Sequence, residues 1–179
     1  GTFDRKTKTN RVEAEKIVDL VFENIEKYPE RSLGVVAFSI SQQNLIDNLI
    51  SKRRQQDPSK EPFFKSDKDE PFFVKNLETV QGDERDTIIF SIAYGKDSQG
   101  RLLLNFGPVN RDGGERRLNV AVTRAKYNIR LVSSMHYTDI DLSRTQSAGA
   151  RLLREYLDYA ENGEIALSRS LSANPFDEY

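Results

Sequence analysis

The sequence has no cysteine and no tryptophan, and it has a single histidine and a single methionine among its 179 residues. Without cysteine the chain cannot form a disulfide or a thiolate metal site, and the lone His136 cannot build a metal site from imidazoles. No apolar run approaches the roughly 18 residues that a membrane-spanning helix needs. These absences exclude a disulfide scaffold, a Cys/His metal centre and a membrane span, and they are typical of a cytoplasmic protein.

Charge of one sign is also lacking, because 27 basic and 28 acidic residues leave a net charge of −1. Domains that bind nucleic acid by bulk electrostatics are usually strongly basic, so any such contact here must be a local arrangement of side chains. The 37% of hydrophobic residues and the length of the chain suit one α/β domain with its own core. We expect this domain at 1–167, followed by a tail at 168–179.

The first residue is Gly1, and the only methionine is Met135. A natural translation start is therefore absent, and we expect the sequence to be a piece of a longer protein, with Gly1 left from a tag.

Apolar spacing in the first third of the chain predicts a helix at 11–27, a strand covered on both faces at 33–39 and a second helix capped by Ser41. Residues 52–71 are rich in charges and serine and contain three prolines. This composition predicts a mobile insertion or flap. The prediction leaves Phe63 and Phe64 either as core residues or, less favoured, as platforms for stacking bases.

The rest of the chain continues the alternation of strands and helices. We predict strands at 72–74, 87–93 and 129–133, and helices at 115–126 and 147–161, the last one ending at Gly163. A polar loop at 78–86 lies at a strand edge, where function concentrates in α/β sheets. The order of elements predicts an α/β fold with a mostly parallel sheet and helices on both faces.

Two arginines on the predicted helix 115–126 lie seven positions apart, at Arg117 and Arg124. At 100° per residue they are about 20° from vertical alignment and form a row beside the apolar stripe. Such a row serves either as ion-paired side chains over the core rim or as a guanidinium fork for a phosphate. Helical geometry alone leaves both interpretations open.

Two longer runs favour the phosphate interpretation for Arg124. The run 80–90 (VQGDERDTIIF) and the run 113–126 (GGERRLNVAVTRAK) resemble motifs V and VI of superfamily 1 helicases, in the branch of the RNA-surveillance and flap-processing enzymes. The resemblance extends from about Arg11 to Ser134. A bacterial group of very large multidomain helicases is more similar still, because there a run like 74–78 (VKNLE) leads directly into motif V.

The resemblance implies a RecA-like P-loop NTPase fold that acts as the second lobe of the motor and closes over ATP. Arg124 would be the arginine finger that reaches the γ-phosphate. Gln81, Gly82 and Glu84 would approach the nucleotide, with Glu84 nearest the ribose or the γ-phosphate. Thr79 would contact the backbone of the nucleic acid.

Two further positions follow from the same resemblance. Arg117 would support the nucleotide interface, or else form a salt bridge to Glu84 or Asp86. At the start of motif IV the run 41–44 reads SQQN, so Gln43 occupies the place of a second arginine and would offer a hydrogen bond without a charge. Candidates for a replacement arginine upstream are Arg5 and Arg11.

The sequence has no GxxxxGK[ST] P-loop and no recognisable acidic motif for magnesium. We therefore expect ATP and Mg²⁺ to be held by an N-terminal RecA-like domain of the same polypeptide, and the fragment alone to be inactive. The expected partner is single-stranded nucleic acid, with DNA favoured over RNA. The alternatives are a non-catalytic interaction module that kept the fold, and a Rossmann-like cofactor domain, which lacks support because no glycine fingerprint follows the first strand.

Overall fold

The computed structural model describes residues 1–172 and contains one sheet flanked by helices. In chain order the elements are α1 (Arg11–Lys27), β1 (Leu33–Ala37), α2 (Ile40–Gln56), β2 (Phe73–Asn76), β3 (Arg85–Ser91), α3 (Gly114–Val122), β4 (Ala125–Val132), α4 (Ala148–Asn162) and α5 (Glu164–Ser172). The four strands are all parallel and lie in the order β2-β1-β3-β4. This is the predicted α/β fold with a RecA-like arrangement.

The helices begin where side chains satisfy free backbone amides. Asn10 caps α1 by accepting from the Glu13 amide, and the helix has the predicted bounds. Ser39 caps α2 by accepting from the Gln42 amide. The predicted cap, Ser41, is wrong by two positions, because Ser39 has the extended conformation of a cap residue and Ser41 already lies in the first turn.

Two hydrophobic cores lie on opposite faces of the sheet. One joins α1 and α2 to the strands and includes Ile17, Val35 and Ile46, while the other lies under α3 and α4 and includes Phe90, Leu118 and Leu153. All five residues of β1 are buried, as expected for a central strand of a parallel sheet. Helices on both faces are therefore confirmed.

The segment 52–71 is not the flap that its composition predicts. Helix α2 continues to Gln56, and a 3₁₀ helix follows at Pro58–Phe64. Phe63 is only 8% exposed, and its ring lies 5.6 Å from Phe64 and 6.4 Å from Phe72, measured between centroids. The apolar surface of these rings holds the segment on the α1/α2 core, which the count of charges and prolines obscured.

The predicted helix 115–126 and the predicted strand 129–133 are wrong at their shared border. Helix α3 ends at Val122 and β4 begins at Ala125, because Ala125 pairs with Arg85 at the start of β3. Arg124 therefore lies in the connection between α3 and β4 rather than on a helix. The hydrogen bonds of the sheet prevailed over a good helical pattern.

At the end of the described chain, Ser147 caps α4 and Gly163 ends it with a positive φ of 59°. Helix α5 covers the first part of the predicted tail, and the remainder of that tail, 173–179, lies outside the described residues. Within residues 1–172, no helix combines the length and the apolar character that crossing a bilayer demands.

Candidate functional site

The connection between β2 and β3 leaves the carboxyl ends of the parallel strands and returns to their amino ends. These two ends are called here the carboxyl edge and the amino edge of the sheet. Asn76, the last residue of β2, is level with Ala37, and Ala37 is level with Ser91 at the carboxyl end of β3. The chain then returns over 77–84 to Arg85 at the amino end of β3, with Leu77 buried against the α3/α4 core. Because β3 has seven residues, the two edges are about 20 Å apart. The motif V run therefore touches both edges of the sheet.

At the amino edge, the structure brings Glu84 and Arg124 together. Arg124 Nη1 lies 3.4 Å from Glu84 Oε1. Arg124 Nε donates to the Val120 carbonyl at 3.0 Å and Nη2 donates to Thr123 Oγ1 at 3.2 Å. The Arg85 amide donates to the Arg124 carbonyl at 3.0 Å, which ties the connection to the sheet. The guanidinium is thus oriented by the end of α3 and remains partly exposed.

Arg117 does not form a row with Arg124. Its Nη1 donates to the Asp112 carbonyl at 3.0 Å, within the turn that precedes α3. The predicted alternative, a salt bridge to Glu84 or Asp86, is wrong, since Arg117 binds backbone carbonyls and Asp86 Oδ2 accepts from the Ser32 amide at 2.9 Å. Arg117 braces the start of α3.

Gln81 and Gly82 form the exposed tip of the motif V run. Gly82 has a φ of 88°, a left-handed conformation that favours glycine, and a side chain added there would meet open space. An ion pair between Lys75 and Asp83 ties the tip to β2. The backbone at Gly82 is accessible from solvent.

Gln43 and Thr79 lie at the carboxyl end of β2. Gln43 Nε2 donates to the Val74 carbonyl at 3.1 Å, and Gln43 Oε1 accepts from Asn76 Nδ2 at 2.8 Å. Thr79 Oγ1 accepts from the Asn76 amide at 3.2 Å. Asn76 thus links both predicted site residues, and the structure does not bring Gln43 to the Glu84–Arg124 pair.

A groove of about 790 Å³ opens at the carboxyl edge of the sheet. Its walls come from the N-terminal segment, from the start of α2 and from the loop after β3. The basic members of its lining are Arg5, Lys8, Arg101 and Arg111. The Phe3 and Tyr94 rings, with centroids 5.5 Å apart, contribute aromatic surface. Burial raises the pKa of Tyr94 to about 12, so its phenol stays neutral.

The upstream arginines named as replacements for a second finger lie elsewhere. Arg5 Nη2 lies 2.7 Å from Asp97 Oδ2 in the wall of the groove, at the edge opposite Arg124. Arg11 pairs with Glu15 on the surface of α1 at 2.8 Å. Neither arginine lies near Glu84.

Backbone strain is concentrated at this groove. Within residues 1–172, the non-glycine residues with positive φ are Lys8, at 58°, and Ala93, at 67°. Lys8 lines the groove and Ala93 directly precedes Tyr94. Strained backbone of this kind persists where the surrounding structure enforces it, and it clusters at binding sites. Sequence reasoning missed the groove because three distant segments build it and no single segment carries a motif.

His136 lies on the surface, where its Nδ1 is 3.2 Å from Glu161 Oε2. In the described part of the chain, no group of three or more His, Asp or Glu side chains is arranged to hold a metal ion.

Comparison with known families decides what this arrangement belongs to. Residues 2–136 match the model of a family described as AAA domain. The chain belongs to this AAA domain family. The match contains β1 to β4, both motif runs and the N-terminal wall of the groove, whereas α4 and α5 lie beyond it.

Two relatives of this AAA domain have been named. It is 43% identical over 136 residues to the uncharacterized ATP-dependent helicase MG140 of Mycoplasma genitalium. It is 40% identical over 140 residues to the MG140 homolog of Mycoplasma pneumoniae. Each comparison covers 74% of this chain and 12% of the relative, so the chain spans about an eighth of these relatives' length. The predicted resemblance to a helicase-family RecA-like domain is confirmed.

Proposed function

We propose that this AAA domain is the second RecA-like lobe of an ATP-dependent nucleic-acid helicase of superfamily 1. The observation that carries the proposal is the Glu84–Arg124 pair, in which both partners come from the motif-like runs and meet at one edge of the sheet. The helicase names of both relatives support the same class of machine.

In this function Arg124 is the arginine finger. A planar guanidinium offers a fork of donors that matches phosphate oxygens, and a finger stabilises the charge on the transferring phosphoryl group. The hydrogen bonds to Val120 and Thr123 orient Arg124 before the nucleotide arrives. Such preorganisation removes the need to order the side chain during the reaction.

The remaining nucleotide contacts surround this pair. Gln81 and the open backbone of Gly82 approach the phosphates, and Glu84 accepts hydrogen bonds from the ribose. Arg117 supports the surface by holding the turn before α3. The amide of Gln43 already bonds to β2. A contact between Gln43 and the nucleotide stays a prediction.

The other half of the nucleotide site belongs to a first RecA-like lobe in the same polypeptide. That lobe would supply the P-loop lysine and hold Mg²⁺, which bridges the β- and γ-phosphates. The chain's share of 12% of the relatives' length is consistent with such additional domains.

Single-stranded nucleic acid, with DNA favoured over RNA, would cross the carboxyl edge of the sheet. The groove combines basic side chains for phosphates with the Phe3 and Tyr94 rings for bases, which is the chemistry of single-strand binding. The hydroxyl of Thr79 would add a contact to the sugar-phosphate backbone of the strand. Residues 77–84 join this edge to Glu84. Closure of the lobes on ATP would therefore move the strand site and the nucleotide site together, and this movement would step the motor along the strand.

The test is nucleic-acid-stimulated ATP turnover by the full-length protein. We expect Arg124→Ala to lower kcat by about 10³-fold or more. The matched control is Arg116→Ala, which removes an arginine from α3 that is 87% exposed, and this variant is expected to turn over ATP normally.

Single-stranded DNA and RNA are compared at one fixed salt concentration, because phosphate contacts are strongly salt dependent. Equal turnover by the Arg124 and Arg116 variants would refute the finger assignment. Tight strand binding by a wild-type protein without any ATP turnover would identify a non-catalytic interaction module instead.

A further inference from the structure

A buried carboxylate lies beneath the groove. Glu13, in the first turn of α1, is only 2% exposed. Its Oε2 accepts from the Ala93 amide at 2.7 Å and from Ser91 Oγ at 3.3 Å. Its Oε1 accepts from the Ser134 amide at 2.8 Å and from Asn10 Nδ2 at 3.2 Å. One carboxylate therefore joins the start of α1 to the chain just beyond β3 and β4.

The most consequential of these bonds is the one to Ala93. A non-glycine residue with a φ of 67° is strained by roughly 1 kcal/mol or more, so the surrounding contacts must hold it in place. Ala93 is fully buried, and the next two residues, Tyr94 and Gly95, line the groove. The carboxylate of Glu13 thus binds the strained residue from which the chain enters the groove wall.

Gln42 extends the same network to α2. Its Oε1 accepts from the Asn10 amide at 2.9 Å, while its Nε2 donates to the Asn10 carbonyl and to Ser91 Oγ, each at 3.0 Å. Gln42 is fully buried, as is the Ser91 side chain. The donors around Glu13 are therefore held in position from a second side.

The charge of Glu13 has no cationic partner. Within residues 1–172 no ion pair includes Glu13, and the groups that donate to it from Asn10, Ser91, Ala93 and Ser134 are all neutral. Gln42, which faces the network from α2, is neutral as well. Gly1 packs against Asn10 and Ser134, so the α-amino group of the first residue is a charged group beside this network. Burial raises the pKa of Glu13 to about 7, although the hydrogen bonds from Ala93, Ser134 and Ser91 act in the opposite direction. Its ionisation is consequently sensitive to small changes near neutral pH.

We propose that Glu13 is a positioning residue for the groove: its ionised carboxylate holds the strained Ala93 turn, and strand binding weakens when the carboxylate is protonated. This inference rests on the proposed function of the groove as a single-strand site. Protonation turns one carboxylate oxygen into a hydroxyl, which accepts hydrogen bonds less strongly and needs an acceptor for its own proton. One of the four donors around Glu13 is then bound less strongly. Tyr94 is then less firmly presented to the strand.

The experiment measures the affinity of the full-length protein for a single-stranded DNA oligonucleotide by fluorescence anisotropy, from pH 6 to pH 8.5 at constant salt. Wild-type protein is expected to bind progressively more weakly below about pH 7. Glu13→Gln should bind roughly tenfold more weakly at pH 8, the scale of one hydrogen bond to a charged group, and should lack this part of the pH dependence. The matched control is Glu15→Gln, an exposed position on the same helix, which should follow the wild-type curve.

A second variant separates positioning from folding. Ala93→Gly allows the positive φ without strain, so binding by this variant should depend less on pH, and adding it to Glu13→Gln should restore part of the affinity. Thermal unfolding of each variant verifies that it is folded. An Ala93→Gly curve that keeps the full wild-type pH dependence would overturn the inference.

The groove assignment is tested separately with Lys8→Ala. If Lys8→Ala binds the strand like wild type, the groove is not the strand site and the proposed function of this edge fails. If Lys8→Ala weakens binding but Glu13→Gln matches wild type at every pH, the groove stands and Glu13 has no positioning role.

Discussion

Arg124 Nη1 and Glu84 Oε1 lie 3.4 Å apart and join the two motif-like runs of this domain across the amino edge of the sheet. The Glu84 side chain is 52% exposed, so the pair contributes at most about 1 kcal/mol to stability. If Arg124 is the proposed finger, a phosphate with more charge and more acceptor oxygens would displace the carboxylate without unfolding the edge. The ion pair with Glu84 would then hold Arg124 in place while no nucleotide is bound.

The first prediction concerns the carboxylate of this pair. In the full-length protein, Glu84→Ala should raise the KM for ATP about tenfold, because the ribose loses one acceptor, and should change kcat much less. Glu84→Gln keeps an acceptor and should lie closer to wild type. Steady-state ATP turnover measures both parameters, with Glu26→Ala on the surface of α1 as the control. An unchanged KM in Glu84→Ala would exclude Glu84 from the nucleotide site.

The second prediction is a pH dependence of stability at Glu13. Its pKa is raised from 4.5 to about 7 in the folded chain, so the folded state holds the proton more tightly than the unfolded state. Its stabilising contribution is therefore fully present below about pH 4.5 and is lost as the pH rises through about 7. The loss amounts to about 3 kcal/mol.

Urea unfolding of this chain at pH 5 and pH 8 measures that effect. The free energy of unfolding of wild type, minus that of Glu13→Gln, should decrease by about 2.5 kcal/mol between these pH values, because glutamine does not titrate. Glu15→Gln serves as the exposed control. A constant difference would mean that the carboxylate is ionised throughout. Ionisation of Glu13, which we propose holds the Ala93 turn, would thus lower the stability of the whole fold.

The third prediction concerns the segment that composition assigns to a flap. Phe63→Ala should lower the free energy of unfolding by about 3 kcal/mol, because it removes a buried ring from the cluster with Phe64 and Phe72. Lys65→Ala, at an exposed neighbouring position, should change it by less than about 0.5 kcal/mol. Urea unfolding compares the two variants. A loss below about 1 kcal/mol for Phe63→Ala would show that the segment contributes little to the core.

Local patterns in the sequence were sufficient for the fold class and for the family. Helix α1 has its predicted bounds because Asn10 and the apolar stripe act within a few residues of each other. The continuous apolar run of β1 predicted a buried parallel strand for the same reason. The motif-like runs indicated a helicase-family domain because each is contiguous in the chain, and the AAA domain match includes both.

Tertiary contacts decided the rest. Residues 123–126 fit a helix by pattern, but pairing of β4 with Arg85 ends α3 at Val122 and places Arg124 beside Glu84. The groove is lined by residues from distant parts of the chain, such as Lys8 and Arg111, so no local pattern in the sequence predicts it. The same is true of the hydrogen bonds that join Glu13 to Ala93 and Ser134. A sequence determines periodicity and motifs through neighbouring residues, whereas the direction of a side chain at a junction depends on which hydrogen bonds of the whole sheet prevail.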